Sequence, residues 1–181
     1  ITLGNIDNNG TVNIERYISD GSWRLISSSV ESAESGMFLG NYLQYWDETT
    51  ATWYDIVDTN YVLNPVQGYG LWNSTKSTTY TFSGTPNTGN QSISISYTEL
   101  PGTDFDGANL VGNPYPSSLD WAGLDDTYGA VYYWNGSDYD EWNNGVGSGS
   151  QYVPPMQGFF ILVDQAGSFD LTNDDRTHNG A

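Results

Sequence analysis

The chain has no cysteine. That excludes disulfides, thiolate nucleophiles and cysteine-ligated zinc together. Positive charge is nearly as scarce: Lys+Arg total 4 against 22 Asp+Glu, a formal net charge of -18 over 181 residues. Binding nucleic acid requires a basic patch that neutralises phosphates, and four scattered cations do not build one. The same shortage argues against an anionic membrane surface. Histidine occurs once, as His178 close to the end. A His-rich metal site or a Ser-His-Asp triad therefore has little to draw on. No apolar run approaches the roughly 18–20 residues that a bilayer-crossing helix needs, so no membrane insertion is expected. The sequence opens at Ile1 with neither Met nor a signal-like segment. It reads as a piece of a longer polypeptide, whose neighbouring domains are then expected partners.

What is present is aromatic and polar. Aromatics make up 15%, with Trp 7 and Tyr 14. Short runs rich in Thr, Ser, Tyr, Val and Ile are broken by Gly, Asn, Asp and Pro. "TVNIERYI", "YLQYW", "TWYDIV", "QSISISYTEL", "AVYYWN" and "GFFILV" all read as strands. "QSISISYTEL" alternates, as a strand with one wet face should. No window carries a 3.6-residue apolar period, and only "PSSLDWAGLDD" suggests a helical turn. The expected fold is all-β and antiparallel, sandwich-like.

The chain also repeats itself. "RLISSS" from Arg24 aligns with "NLVGNP" from Asn109, and "LQYWDETTATW" from Leu43 with "VYYWNGSDYDE" from Val131. "PVQGYGLW" from Pro65 aligns with "PMQGFFIL" from Pro155, and "TYTFSG" from Thr79 with "SFDLTN" from Ser168. The order is kept while the offset drifts from about 85 to about 90, as loop insertions would produce. Two internally repeated halves in a pseudo-two-fold relation are expected, at 20–102 and 103–181. Residues 1–19 would be an N-terminal hairpin or the end of an upstream β segment, turning at "DNNG" from Asp7. Gly68 and Gly158, in the twin Gln-Gly phrases, are expected to hold a bulge or tight crossing, with Gln67 and Gln157 bonding nearby backbone.

"IERYISDGSWRLISSSV", "NLVGNPYPSSLDW" (Asn109 to Trp121), "VPPMQGFF" (Val153 to Phe160) and "RTHNG" (Arg176 to Gly180) resemble phrases in β domains of large secreted Bacteroidetes proteins exported by the type IX system. The resemblance covers nearly the whole chain from Val12. It implies an extracellular β domain of a multidomain protein, secreted or at the cell surface. No catalytic residue is carried over. "SSS" at Ser27 to Ser29 stands where such proteins often have "SSP", so a looser turn is expected there.

Candidate site residues come from the aromatic and acidic segments. Aromatic rings on a β surface stack against the apolar faces of sugars, and nearby carboxylates and amides bond the hydroxyls. Trp46 and Trp134 are assigned to the core. Trp53, Tyr139 and Trp142 follow acidic, Gly- and Thr-rich turns and are the expected ligand contacts, with Asp138 and Asp140. Calcium wants six to eight oxygens, and Asp104, Asp106, Asp125 and Asp126 are the candidate ligands. None of these loops has the EF-hand spacing. Adjacent acids in a wet turn stay ionised, so a glycosidase carboxylate pair is the least favoured reading. The favoured function is non-catalytic binding of a glycan or cell-surface polysaccharide, or adhesion, with a structural spacer as the alternative. Neutral glycans suit so acidic a chain better than sulfated ones.

Overall fold

The structure is a computed structural model that describes residues 2–3, 10–74 and 76–178. The turn expected at Asp7 to Asn9 lies outside the described residues. The strands of the first unit are β1 (Thr2–Leu3), β2 (Val12–Ile18), β3 (Trp23–Ile26), β4 (Tyr42–Asp47), β5 (Thr52–Asp55), β6 (Tyr69–Trp72) and β7 (Thr78–Gly84). The second unit holds β8 (Gln91–Ile95), β9 (Ala108–Gly112), β10 (Ser118–Asp120), the single-turn helix α1 (Asp125–Tyr128), β11 (Val131–Trp134) and β12 (Tyr139–Trp142). It ends with β13 (Tyr152–Val153), β14 (Gly158–Leu162), β15 (Gly167–Leu171) and β16 (Arg176–Thr177). The fold is all-β and sandwich-like, as expected, and the strand pairs are antiparallel.

Two four-stranded sheets form the centre. Their orders are β3-β6-β4-β5 and β9-β14-β11-β12. The aligned phrases occupy matching places in both: β3 with β9, β4 with β11, β5 with β12 and β6 with β14. Each central sheet is covered on its outer face. Alternation along β2 buries Val12, Ile14 and Ile18 and leaves Asn13, Glu15 and Tyr17 in water. The buried set meets Tyr80 and Phe82 of β7 and Leu43, Tyr69 and Leu71 of the first central sheet. In the second unit, Phe169 and Leu171 of β15 with Ile95 of β8 cover Val111, Val131, Phe159 and Ile161. A third core lies between the two inner faces, around Leu25, Ala108, Leu110 and Phe160. β9 and most of β14 are therefore buried on both faces, which explains their uninterrupted apolar text.

The pairing moves the expected boundaries. β1 pairs antiparallel with β2, in keeping with the N-terminal hairpin expected over 1–19, and β2 also pairs along its length with β7, so this hairpin joins the sheet of the first unit. β8 pairs with β15 and belongs to the second, so the division falls before Gln91 rather than after residue 102. Each unit thus has an early strand, β2 or β8, that pairs its last long strand, a long-range contact invisible to local alignment.

The twin Gln-Gly phrases are where the units interlock. Gln67 bridges Val111, and Gln157 bridges Ile26. The Gly112 N–H donates to Val66 O (2.7 Å), and in mirror fashion the Ser27 N–H donates to Met156 O (2.9 Å). Val66 is buried in the second unit's core and Met156 in the first's. Each unit lends one apolar side chain to its neighbour, and full burial of such a side chain contributes roughly 1.5–3 kcal/mol. A Cβ on Gly68 would lie 2.5 Å from Val111 O, and one on Gly158 2.7 Å from Ile26 O. The expected tight crossing is present in both copies. The Gln157 amide donates to Leu25 O (3.1 Å), as expected for backbone bonding.

Arg16 strengthens the joint from β2. Its guanidinium donates to Met156 O, to Gln157 Oε1 (3.0 Å) and to Leu25 O (3.3 Å). Burial, with a smaller effect of Arg24, lowers its pKa to about 10, which leaves it charged at neutral pH. The Ser27 to Ser29 segment is not the loose turn expected. All three serines are buried, and Ser27 Oγ and Ser29 Oγ donate to Asn113 O (2.8 Å) and Tyr115 O (2.9 Å) of the second unit. Small hydroxyl residues fit there because Gly112 passes so close that its Cβ would be 2.3 Å from that of Ser27.

Candidate functional site

The inner faces of the central sheets diverge away from the crossing and leave a cleft of about 460 Å³. Hairpin register builds it. Trp46 on β4 is directly opposite Trp53 on β5, and Trp134 on β11 is directly opposite Tyr139 on β12. Directly opposed residues share a face, so each hairpin presents an aromatic pair. The ring centroids are 5.3 Å apart in the first pair and 5.1 Å in the second. Phe160 stands edge-on between the units, 5.5 Å from Trp46, 6.1 Å from Trp53 and 5.8 Å from Tyr139. Tyr132, Leu162, Ala108 and Phe105 complete the apolar lining, with Asp104 at the rim. Volume and lining fall in the range of small-ligand sites, roughly 300–1,000 Å³.

Trp53 and Tyr139, two of the expected ligand contacts, are brought together in the lining of this cleft. The other three expected contacts are not. Trp142 is 8% exposed and packs in the second core. Between the opposed rings the second hairpin has two residues fewer, Asn135 to Asp138 against Asp47 to Thr52, because the first hairpin pairs one rung further, at Asp47 and Thr52. The partner of Trp53 in the repeat is therefore Tyr139, and Trp142 falls on the outer face opposite Val131. Asp138 caps its own turn, accepting from the Tyr139 N–H (2.8 Å). Asp140 lies on the far face and accepts from Ser148 Oγ (2.7 Å). Trp46 and Trp134 are half-buried rather than core. Trp46 donates its indole N–H to Ala108 O (2.7 Å), whereas the buried Trp134 Nε1 has no partner among the described residues.

The four candidate calcium ligands do not converge. Asp104 and Asp106 sit between β8 and β9, and Asp125 and Asp126 open α1. Asp106 is already engaged by the Leu100 N–H (2.9 Å). Among the described residues no group of three or more acidic or His side chains is placed to hold a metal ion.

The loop carrying Asp104 and Phe105 is positioned by Glu48, a residue the sequence did not single out. Glu48 sits in the β4–β5 turn and is 5% exposed. It accepts from the Thr98 N–H (2.6 Å), the Gly107 N–H (3.2 Å) and the hydroxyls of Ser96 (2.7 Å) and Thr98 (3.0 Å). Four donors around one buried carboxylate satisfy its desolvation. Glu48→Ala would strand those donors, and denaturant unfolding should show a loss of about 3 kcal/mol.

Two tyrosines line the cleft, Tyr132 and Tyr139. The pKa values of Tyr132 and Tyr139 are raised, mainly by burial and for Tyr132 also by Glu141. Both are protonated at neutral pH and can donate to a ligand. The remaining lining was legible in part: alternation in "VYYW" puts Tyr132 beside Trp134, and in "GFFIL" puts Phe160 beside Leu162.

Comparison with protein-family models, curated proteins and solved structures finds no match. The site must be read from its own geometry.

Proposed function

We propose that the chain is a non-catalytic carbohydrate-binding module, an extracellular domain of a larger secreted or cell-surface protein. One observation carries the reading: rings from both units, Trp46, Trp53, Tyr139 and Phe160, line an open cleft together with Tyr132 and Asp104. A pyranose has apolar faces that pack on rings and hydroxyls that bond to such edges.

Affinity electrophoresis on gels of neutral plant or algal polysaccharide, run with and without EDTA, tests it. At least one gel should retard the chain, and Trp53→Ala and Tyr139→Ala should each weaken binding by about 2 kcal/mol, roughly thirtyfold. Unchanged mobility of Trp53→Ala on a retarding gel would remove the cleft from the reading.

The interlocked joint favours a second reading, a stiff spacer without a ligand. It predicts that no glycan retards the chain and that tryptophan fluorescence ignores every sugar.

A further inference from the structure

The cleft has one carboxylate and no Lys, Arg or His in its lining. That carboxylate, Asp104, is uncommitted. Among the described residues no hydrogen bond or ion pair engages it. Its neighbours differ: Asp106 and Glu48 are each taken up by backbone N–H groups. Asp104 is nevertheless held in place. The Phe105 N–H donates to Thr103 Oγ1 (2.9 Å), and the Ala108 N–H donates to Phe105 O (3.0 Å). Gly107 follows in the left-handed region (φ +65), where a Cβ would lie 1.9 Å from Val163 O. The loop is pinned on both sides of Asp104.

Three features of this site then point to one ligand charge. Aromatic faces carry negative potential and attract cations, more so when the cation is partly desolvated. The carboxylate supplies a partner for a donor cation. The chain's net charge of -18 concentrates cations and repels anions around the cleft. An uncharged sugar uses the ring faces and neutral hydrogen bonds but gains nothing from the negative potential.

We propose that the ligand is a polysaccharide of amino sugars with free, protonated amines: the amine meets Asp104 while the pyranose face packs between Trp53 and Tyr139. This rests on the carbohydrate reading above and goes beyond it by fixing the ligand's charge. Calorimetric titration with β-1,4-linked oligomers of glucosamine, N-acetylglucosamine and glucose tests it, in roughly 0.15 M salt, where the Debye length is about 8 Å and diffuse attraction is weakened. The glucosamine oligomer should bind about tenfold tighter than the other two. Asp104→Asn should erase that preference and leave the binding of the uncharged oligomers in place. Raising the pH until the sugar amine is neutral should erase it too, since Tyr132 and Tyr139 have raised pKa values and stay protonated. Equal binding of all three oligomers would overturn the proposal and leave the carbohydrate reading standing. A preference that survives Asp104→Asn would overturn it as well, because the acidic surface as a whole would then be the cause. If no oligomer binds and no polysaccharide gel retards the chain, both readings fall.

Discussion

Alanine at Gly68 or at Gly158 is expected to cost about 3 kcal/mol each, a large fraction of a domain's stability. The new methyl group at residue 68 meets Val111 O and the Leu110 side chain, and at residue 158 it meets the backbone N and O of Ile26. Backbone cannot swing aside like the end of a flexible side chain. Relief requires the two units to part, and parting them withdraws Val66 and Met156 from the cores they occupy. The cost is therefore overpacking plus the loss of a shared joint. Equilibrium denaturation in urea measures it, with Gly167→Ala as the control. Gly167 lies in β15 with nothing within 4 Å of its Cβ position. The control should be neutral or slightly stabilising, since alanine restricts the unfolded chain. If Gly68→Ala and Gly158→Ala match the control, the crossing does not hold the units together.

The largest expected effect on binding comes from filling the cleft. Repeat symmetry says how. Ala108 and Leu162 face each other across β9 and β14 and line the cleft. The matching positions on β3 and β6 are Trp23 and Trp72, also directly opposed, with ring centroids 5.7 Å apart. The second unit has a buried alanine and an exposed leucine where the first unit has two indoles. Combining Ala108→Trp with Leu162→Trp copies the two indoles into the second unit. Glycan retardation should disappear, a loss of at least a hundredfold, while the chain remains folded. Ring bulk occupies the seat that a sugar would take, and a closed cleft cannot exchange its ring contacts for new ones. Near-ultraviolet circular dichroism and a thermal melt establish that the fold survives. Retained binding in a folded double variant would place the ligand elsewhere.

The sequence made the strands readable because alternation and β-branched residues are local signals. Val12, Ile14 and Ile18 against Asn13, Glu15 and Tyr17 needed no partner to be recognised. The repeat was readable too, since strand phrases survive while loops drift. Two things were not. The first was register across a hairpin: the second hairpin ends one rung earlier than the first, which puts the twin of Trp53 on Tyr139, and a gap of two residues is invisible without pairing. The second was anything set by distant contact. Glu48 reads as one more acid in a polar turn, and only the folded chain surrounds it with Ser96, Thr98 and Gly107. The candidate calcium ligands are two acidic pairs far apart in the sequence, and among the described residues no group of three or more acidic or His side chains is placed to hold a metal ion.

Two domains on a flexible tether would let a cleft between them open, admit a guest and close over it. Here the crossing strands exchange backbone hydrogen bonds at both Gln-Gly phrases, so the jaws have no hinge. On the proposed carbohydrate reading, the cleft lined by Trp53 and Tyr139 is a fixed gauge: it would sort sugars by thickness on entry, and the protein's shape before and after binding should be the same.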